Sequence, residues 1–262
     1  TNGTSEKYLG EFVASERENL VIASKYSLSE AGKPNTSGNH RKNMVQSIEG
    51  SLKRLKTDYI DLYYVHAWDF TVAPEELMRN LEYLVASGKI LSIGISDTPA
   101  WIISKCNTIA ELRGWTPFSA CQVEYCLTEH TADREIIPAS NHFKMTFCGF
   151  GPLAAGLLTG KYLTDSSAPR RMDKNRSNRL TPHNMQLSAK LVDISKEMGY
   201  SPAQIAIRWA MQRYENSSPV FGARSSKQCE ENLAVLDFSL TNEQMSRLNE
   251  ICAIGPNNQN DF

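Results

Sequence analysis

The strongest constraint on the fold of this chain is a repeated alternation between short runs rich in apolar, β-branched and aromatic residues and longer stretches with helical periodicity. Such an alternation predicts parallel strands joined by helical crossovers, because parallel neighbours cannot be connected by a tight hairpin. Six strands are predicted, over residues 20–26, 59–65, 90–95, 119–125, 145–150 and 219–221. An open doubly wound sheet and a closed (β/α)₈ barrel both fit this order, and periodicity alone does not separate them.

Helices are predicted around these strands from apolar spacing and from end signals. The first helix is opened by Ser5 and is expected to bury Leu9, Phe12 and Val13. The second helix presents one apolar face at 3.6-residue spacing. The members of this face are Met44, Val45, Ile48, Leu52 and Leu55. Further helices are predicted over residues 74–87, 99–112, 132–143, 185–198, 201–214 and 226–233.

Composition excludes several classes of function. Lys and Arg total 28 against 29 Asp and Glu, and the resulting net charge of −1 argues against nucleic-acid binding and against a basic membrane-surface protein. No stretch approaches the roughly 20 apolar residues of a membrane span, and the first residues do not resemble a signal peptide. The six cysteines show no metal-site or redox spacing, which predicts a reduced cytoplasmic protein without a metal. We expect one domain over residues 1–262.

In both the open sheet and the closed barrel, functional residues are expected at the carboxyl ends of the parallel strands. Lys25 and His66 fall at the ends of two neighbouring predicted strands. Lys25 shares side-chain parity with Val21 and Ala23, and His66 shares it with Tyr64. Each is therefore expected to project with the apolar face of its strand. A structural role remains open for either residue alone, whereas the two together favour a site.

A series of short motifs carries a family resemblance. No strand is followed by a G-x-G-x-x-G or P-loop motif, which disfavours those nucleotide sites. The motifs present are Gly3-Thr4-Ser5-Glu6, Val21-Ile22-Ala23-Ser24-Lys25, Ser51-Leu52-Lys53-Arg54-Leu55, Val65-His66, Gly94-Ile95-Ser96-Asp97, Gln122-Val123-Glu124-Tyr125, Gly151-Pro152-Leu153, Gly156-Leu157-Leu158-Thr159-Gly160-Lys161-Tyr162 and Gly222-Ala223-Arg224-Ser225. In number and order they resemble the aldo-keto reductases, (β/α)₈ barrels that use a nicotinamide cofactor. The segment Asp97-Thr98-Pro99-Ala100-Trp101 is most similar to the branch that contains aryl-alcohol dehydrogenases.

The resemblance implies a catalytic set of Asp, Tyr, Lys and His. Lys25 would lower the pKa of the Tyr, and His66 would orient and polarise the substrate carbonyl. Hydride arriving at a carbonyl carbon leaves negative charge on oxygen, which a positioned acid must neutralise. The family's Asp and Tyr would fall upstream of Thr1. We therefore expect the first two strands and the first helix of the barrel to be missing from this chain.

The resemblance also implies a site for the nicotinamide end of the cofactor. Ser96, Asp97 and Gln122 would contact the carboxamide. Phe150 would stack on the nicotinamide ring, since an aromatic stands at this position in the family. Gly151 replaces a usual Ser, which removes one hydrogen bond.

The rest of the cofactor site is implied in the same way. The residues that would line the pyrophosphate are Gly151, Pro152, Leu153, Ala154 and Ala155. Lys161 would supply positive charge to it. The residues that would hold the adenosine half are Gly222, Arg224, Gln228, Glu231 and Asn232. Arg224 at a helix N-terminus suits a 2′-phosphate and favours NADPH over NADH.

These motifs predict an oxidoreductase that transfers hydride between NADPH and an aldehyde or ketone, or the corresponding aryl alcohol. Its expected partner is that small-molecule substrate, with neither nucleic acid nor membrane, and the oligomeric state is left open. Residues 66–70 suggest an aromatic wall suited to aryl substrates. Two alternatives stay open because the family's Asp and Tyr are absent: a non-catalytic nucleotide-binding or regulatory protein, and an inactive truncated product.

Overall fold

The sheet of this protein follows the predicted alternation. A computed structural model describes residues 3–28, 34–164 and 179–252 of the chain. Five strands lie in these ranges: β1 Ala23–Tyr26, β2 Ile60–Val65, β3 Ile90–Ser96, β4 Phe118–Glu124 and β5 Thr146–Phe150. They form one sheet in the order β1-β2-β3-β4-β5, and the first three pairs are parallel. The prediction of an α/β fold with consecutive parallel strands is confirmed.

Helices follow the strands at nearly the predicted positions. The α-helices of the described ranges are α1 Thr4–Phe12, α2 Arg41–Leu55, α3 Pro74–Ala86, α4 Ala100–Arg113, α5 Ile136–His142, α6 Lys161–Thr164, α7 Pro182–Met198, α8 Pro202–Gln212, α9 Ser226–Leu233 and α10 Asn242–Cys252. Only α10 and the short α6 have no counterpart in the sequence prediction. None of the helices in the described part of the chain is both long and apolar enough to span a bilayer.

The chain divides into two compact units. The first consists of Thr1–Gln122 with Arg134–Phe147, and the second of Val123–Asp133 with Cys148–Phe262. The first unit buries the predicted face of α2: four of its apolar residues are buried, and Val45 is half-buried. The prediction of one domain over residues 1–262 stays a prediction.

The second unit has its own aromatic core. Trp209 of α8 is buried and stacks on Tyr125, with ring centroids 5.3 Å apart. The indole N–H of Trp209 donates to Asn249 Oδ1 over 2.9 Å, and the Tyr125 hydroxyl donates to Asp133 Oδ1 over 2.8 Å. The polar ends of both rings are thus satisfied inside the core, as buried Trp and Tyr require.

The six cysteines are free thiols. Five are buried, and Cys229 is half-buried. Burial raises the pKa of Cys106 to about 12 and that of Cys252 to about 11. These two thiols therefore stay protonated and act as small apolar side chains.

The prediction of a sixth strand at residues 219–221 is wrong. Val220 makes a single parallel bridge with Phe150: its N–H donates to Gly149 O over 2.8 Å, and its carbonyl accepts from Gly151 over 3.3 Å. Pro219 has no N–H with which to extend a ladder, so the run ends as a bridge.

Helix α1 also differs from its prediction. The helix is preceded by Gly3 in a left-handed conformation, so Ser5 does not cap it. Leu9 is partly exposed and Phe12 is 78% exposed, whereas Gly10 and Val13 are buried. The reason is close packing on α2, because a Cβ at Gly10 would lie only 2.5 Å from the carbonyl oxygen of Leu55. A glycine therefore forms this contact.

We expect Gly10→Ala to destabilise the first unit. The added methyl would overlap backbone atoms of α2, which cannot rotate away as a side chain could. Overpacking of this kind lowers the free energy of unfolding by about 1–3 kcal/mol, which urea denaturation would measure. Gly222→Ala is the matched control, because a Cβ at Gly222 meets no atom within 4 Å. Equal stability of the two variants would contradict the packing argument.

Candidate functional site

Lys25 is the centre of a polar cluster in the first unit. Its ammonium Nζ donates to Gln122 Oε1 over 2.5 Å and lies 3.5 Å from Ser96 Oγ. It also lies 5.3 Å from the ring centroid of Tyr64. Ser96 is fully buried and Gln122 nearly so. The structure thus brings together three of the site residues predicted from sequence, from strands β1, β3 and β4.

Lys25 pairs with Tyr64 of β2, but the residues with which it shares its side-chain parity, Val21 and Ala23, do not form a buried apolar face. Val21 is 80% exposed and Ala23 is exposed, whereas Ile22 and Tyr26 are buried. In the described ranges β1 is an edge strand that pairs only with β2. Lys25 therefore lies on the more exposed face of β1, and its side chain reaches the cluster from there.

His66 lies immediately after β2 and is held by its backbone. Its N–H is within hydrogen-bonding distance of Tyr26 O, at 2.9 Å, and of Ser27 Oγ, at 3.2 Å. Partial burial, and then the positive charge of Lys25, lower the pKa of His66 from 6.5 to about 4. The imidazole is therefore neutral at physiological pH, with one nitrogen able to donate and the other to accept a hydrogen bond.

The pKa of His66 gives a testable pH dependence. Because the folded-state pKa is depressed, an unfolded chain takes up this proton near pH 6.5 and the folded chain only near pH 4. His66 therefore lowers stability progressively as the pH falls from about 6.5 to about 4, and His66→Asn should lose this part of the pH dependence. In Lys25→Met the NMR titration midpoint of His66 should rise, without reaching 6.5 because burial remains.

The exposed Lys7→Met is the control for that titration, since it removes a lysine charge from the surface of α1. An unchanged midpoint in Lys25→Met, or an equal shift in Lys7→Met, would contradict coupling between Lys25 and His66.

The loop after β3 presents Asp97 in a strained conformation. Asp97 has φ +40°, is exposed, and donates its N–H to the carbonyl of Gln122 over 3.3 Å. Thr98 fixes the same turn, because its hydroxyl donates to Ser96 O over 2.8 Å. A left-handed non-glycine residue beside the Lys25 cluster is a feature typical of functional loops.

The loop after β2 contains the two aromatic residues from which an aromatic wall was predicted. Trp68 is buried and Phe70 is 68% exposed, with their rings edge to face and 6.3 Å apart. Asp69 fixes this loop, because its carboxylate accepts the N–H of Asn39 over 2.7 Å and the N–H of Thr71 over 2.9 Å. Phe70 is thereby held at φ +60°, where a bulky residue is rare.

The second unit contains a cavity of about 660 Å³. Eleven residues predicted for the cofactor line it: Phe150, Gly151, Pro152, Leu153, Ala155, Lys161, Gly222, Arg224, Gln228, Glu231 and Asn232. Ala154, also predicted, is fully buried and does not line the cavity. The lining residues that sequence reasoning did not assign are Glu124, Gly156, Thr159, Arg179, Ser201, Pro202, Ala203, Val220 and Phe221.

A left-handed backbone segment forms part of the cavity wall. Positive φ angles occur at Gly151 (71°), Ala154 (48°), Ala155 (58°) and Gly156 (94°). Lys161 lies over this segment, because a Cβ at Gly156 would come within 3.1 Å of its Nζ. The N–H groups of Gly151, Ala154 and Gly156 donate to backbone carbonyls and fix this turn, and the ammonium of Lys161 beside it suits an anion.

The N-terminus of α9 forms another part of the wall. Ser225 caps the helix by accepting the N–H of Gln228 over 3.3 Å, and Gln228 Oε1 accepts the N–H of Arg224 over 2.9 Å. Gln228 thus shapes the turn, and the Arg224 side chain is exposed beside the helix start. The positive end of the helix dipole and this guanidinium together favour a bound phosphate.

Comparison of this sequence with a protein-family model and with individual known proteins gives results that agree. The model of the aldo/keto reductase family matches residues 1–253. Norsolorinic acid reductase stcV of Emericella nidulans is 36% identical over 254 residues, which cover 94% of this chain and 64% of that protein. An aryl-alcohol dehydrogenase (NADP(+)) of Phanerodontia chrysosporium is 36% identical over 94% of this chain and 69% of its own length. The chain thus spans about two thirds of the length of these relatives, and less than two thirds of the first.

Proposed function

Because this chain belongs to the aldo/keto reductase family, we propose that it is an oxidoreductase that uses NADPH to reduce an aldehyde or ketone, or NADP⁺ to oxidise the corresponding aryl alcohol. The family's fold is a (β/α)₈ barrel, and the parallel strands and crossover helices seen here are parts of that fold. The names of the relatives, aryl-alcohol dehydrogenase and norsolorinic acid reductase, support the reaction class. One of those names includes NADP, which supports the cofactor.

The lining of the cavity in the second unit fits a dinucleotide. Lys161, which lies over the left-handed backbone segment, suits a pyrophosphate, and Arg224 with the start of α9 suits a further phosphate. Phe150 offers an aromatic face for a nicotinamide ring. The bound cofactor would supply or accept the hydride. For the carboxamide we propose Ser96, Asp97 and Gln122 of the first unit.

Lys25 and His66 are proposed to act on the substrate carbonyl. A neutral His66 can donate an N–H to the carbonyl oxygen and polarise it, which its lowered pKa allows at physiological pH. The positive charge of Lys25 stabilises the negative charge that develops on oxygen. In the family resemblance, Lys25 also lowers the pKa of the tyrosine that delivers the proton. The retention of both residues favours an enzyme over a non-catalytic binding protein.

The observation that carries this proposal is the coupling of Lys25 to its neighbours. Its ammonium is hydrogen-bonded to Gln122 over 2.5 Å, and its charge adds to the effect of burial in lowering the pKa of His66. Coupled ionisable groups at strand ends are typical of active sites.

The test begins with binding of NADPH to the 262-residue chain, measured by calorimetry. Reduction of 3,4-dimethoxybenzaldehyde is then followed through NADPH absorbance, in this chain or in a longer polypeptide that contains it. We expect saturable binding, and NADPH oxidation that requires the aldehyde. A chain that binds neither NADPH nor NADH would refute the proposal.

A further inference from the structure

We propose that Arg179 is an anion-binding residue of the cavity in the second unit, and that Glu124 is the positioning residue that orients it toward the pyrophosphate of a nicotinamide nucleotide. The inference rests on the proposed function and adds two residues to it. Neither residue belongs to the set that the sequence motifs assigned to the cofactor.

The two side chains form a bidentate ion pair in the wall of the cavity. Arg179 Nη2 donates to Glu124 Oε2 over 2.9 Å, and Nη1 donates to Oε1. The side chains are only 29% and 26% exposed, so solvent screens their attraction less than at the surface. The hydrogen bond to Glu124 holds the pKa of Arg179 above its ordinary value.

Arg179 is fixed at both its backbone and its head group. Its carbonyl accepts the side-chain N–H of Asn184 over 2.9 Å, in the first turn of α7. That turn is capped by Thr181, whose hydroxyl accepts the N–H of Asn184 over 3.1 Å. Glu124 ends strand β4 and holds the guanidinium. A long side chain anchored at both ends has already lost most of its conformational entropy, which reduces the entropic cost of binding a ligand.

The paired guanidinium can still bind an anion. It has five N–H donors, and Glu124 accepts from two of them. Three of the five donors are therefore not used by Glu124. The pairing with Glu124 neutralises the carboxylate, which would otherwise repel an anion in this cavity. Three cations and two carboxylates line the cavity: Lys161, Arg179, Arg224, Glu124 and Glu231.

The position of the pair points to the pyrophosphate. Glu124 Oε1 lies 3.6 Å from the point where a Cβ of Gly151 would stand, so the pair lies beside the start of the left-handed segment. Lys161 lies over the other end of that segment and brings a positive charge to it. The pyrophosphate is common to NADPH and NADH. Arg179 should therefore contribute equally to the affinity for both nucleotides, whereas Arg224 should contribute to the affinity for NADPH alone.

The test measures dissociation constants of NADPH and NADH for the full 262-residue chain and five variants, two of which are controls. Arg179→Met should weaken both ligands by about tenfold to a hundredfold, the range for loss of one charge-assisted contact. Glu124→Gln should weaken both by a smaller factor, because the guanidinium is then less firmly held. In the Arg179→Met background, Glu124→Gln should instead strengthen binding, since it removes an unpaired carboxylate.

This reversal of sign separates positioning from a structural role. The control pair is Arg247→Met and Glu197→Gln, because Arg247 and Glu197 form the same bidentate arrangement on the exposed surface of the unit. Both controls should leave the dissociation constants unchanged. Tighter binding in Glu124→Gln alone would show that Glu124 competes with the ligand, and would overturn its positioning role. Normal binding in Arg179→Met would overturn the inference alone, whereas absence of binding in the unaltered chain would refute the proposed function.

Discussion

Replacing Lys25 by Met should lower the turnover number for aldehyde reduction by about 10²–10⁴-fold, the range for general acid–base assistance. The comparison applies to any polypeptide that contains these residues and has measurable activity. The physical reason is that Met approximates the length of the side chain but lacks the charge that stabilises the developing oxyanion. NADPH affinity should change by no more than a few-fold, because the phosphate-binding features belong to the cavity of the second unit.

His66→Ala should reduce turnover in the same way, since it removes the donor that polarises the carbonyl. Two controls fit these variants: Lys7→Met on the exposed face of α1, and His142→Ala at the end of α5. Both should retain full turnover and full stability. If Lys25→Met changed NADPH affinity as much as turnover, Lys25 would be a cofactor-binding residue and not a residue of the chemical step.

Local patterns predicted most of the fold, because each helix and strand is specified by short-range spacing. The face of α2 could be predicted from its 3.6-residue period, and the meeting of Lys25, Ser96 and Gln122 from their places at strand ends. The same reasoning failed where burial depends on a neighbouring element. Val21 is as apolar as a core residue, yet it is 80% exposed just before the edge strand β1.

Contacts between distant segments could not be predicted from the sequence. Glu124 and Arg179 are 55 residues apart, and no spacing within either segment pairs them. The only local signal was that Glu124 follows Gln122 at a strand end, which places it at the sheet edge where sites form. Gly10 is a similar case, since helical periodicity favours Leu9 and Phe12 as contact residues. Only the close approach of Leu55 O explains why a glycine is buried there.

Arg224 is the residue on which the choice between NADPH and NADH is expected to depend. Its guanidinium stands next to the capped N-terminus of α9, where the helix dipole adds to its positive charge. The two nucleotides differ only by a 2′-phosphate, so a residue that binds this group affects one ligand and not the other. A planar guanidinium can bind such a phosphate through two parallel hydrogen bonds.

Arg224→Ala should therefore weaken NADPH by about 1.5–3 kcal/mol, or roughly tenfold to a hundredfold, and leave the dissociation constant of NADH nearly unchanged. Calorimetric titration with each nucleotide measures the ratio of the two dissociation constants directly. Because Arg224 is exposed, the free energy of unfolding should not change. Lys227→Ala is the matched control, a cation on the same helix that does not line the cavity, and it should leave the ratio unaltered. If Arg224→Ala weakened the binding of NADPH and NADH equally, Arg224 would contact a group that both nucleotides share. The preference for NADPH would then have to come from another residue.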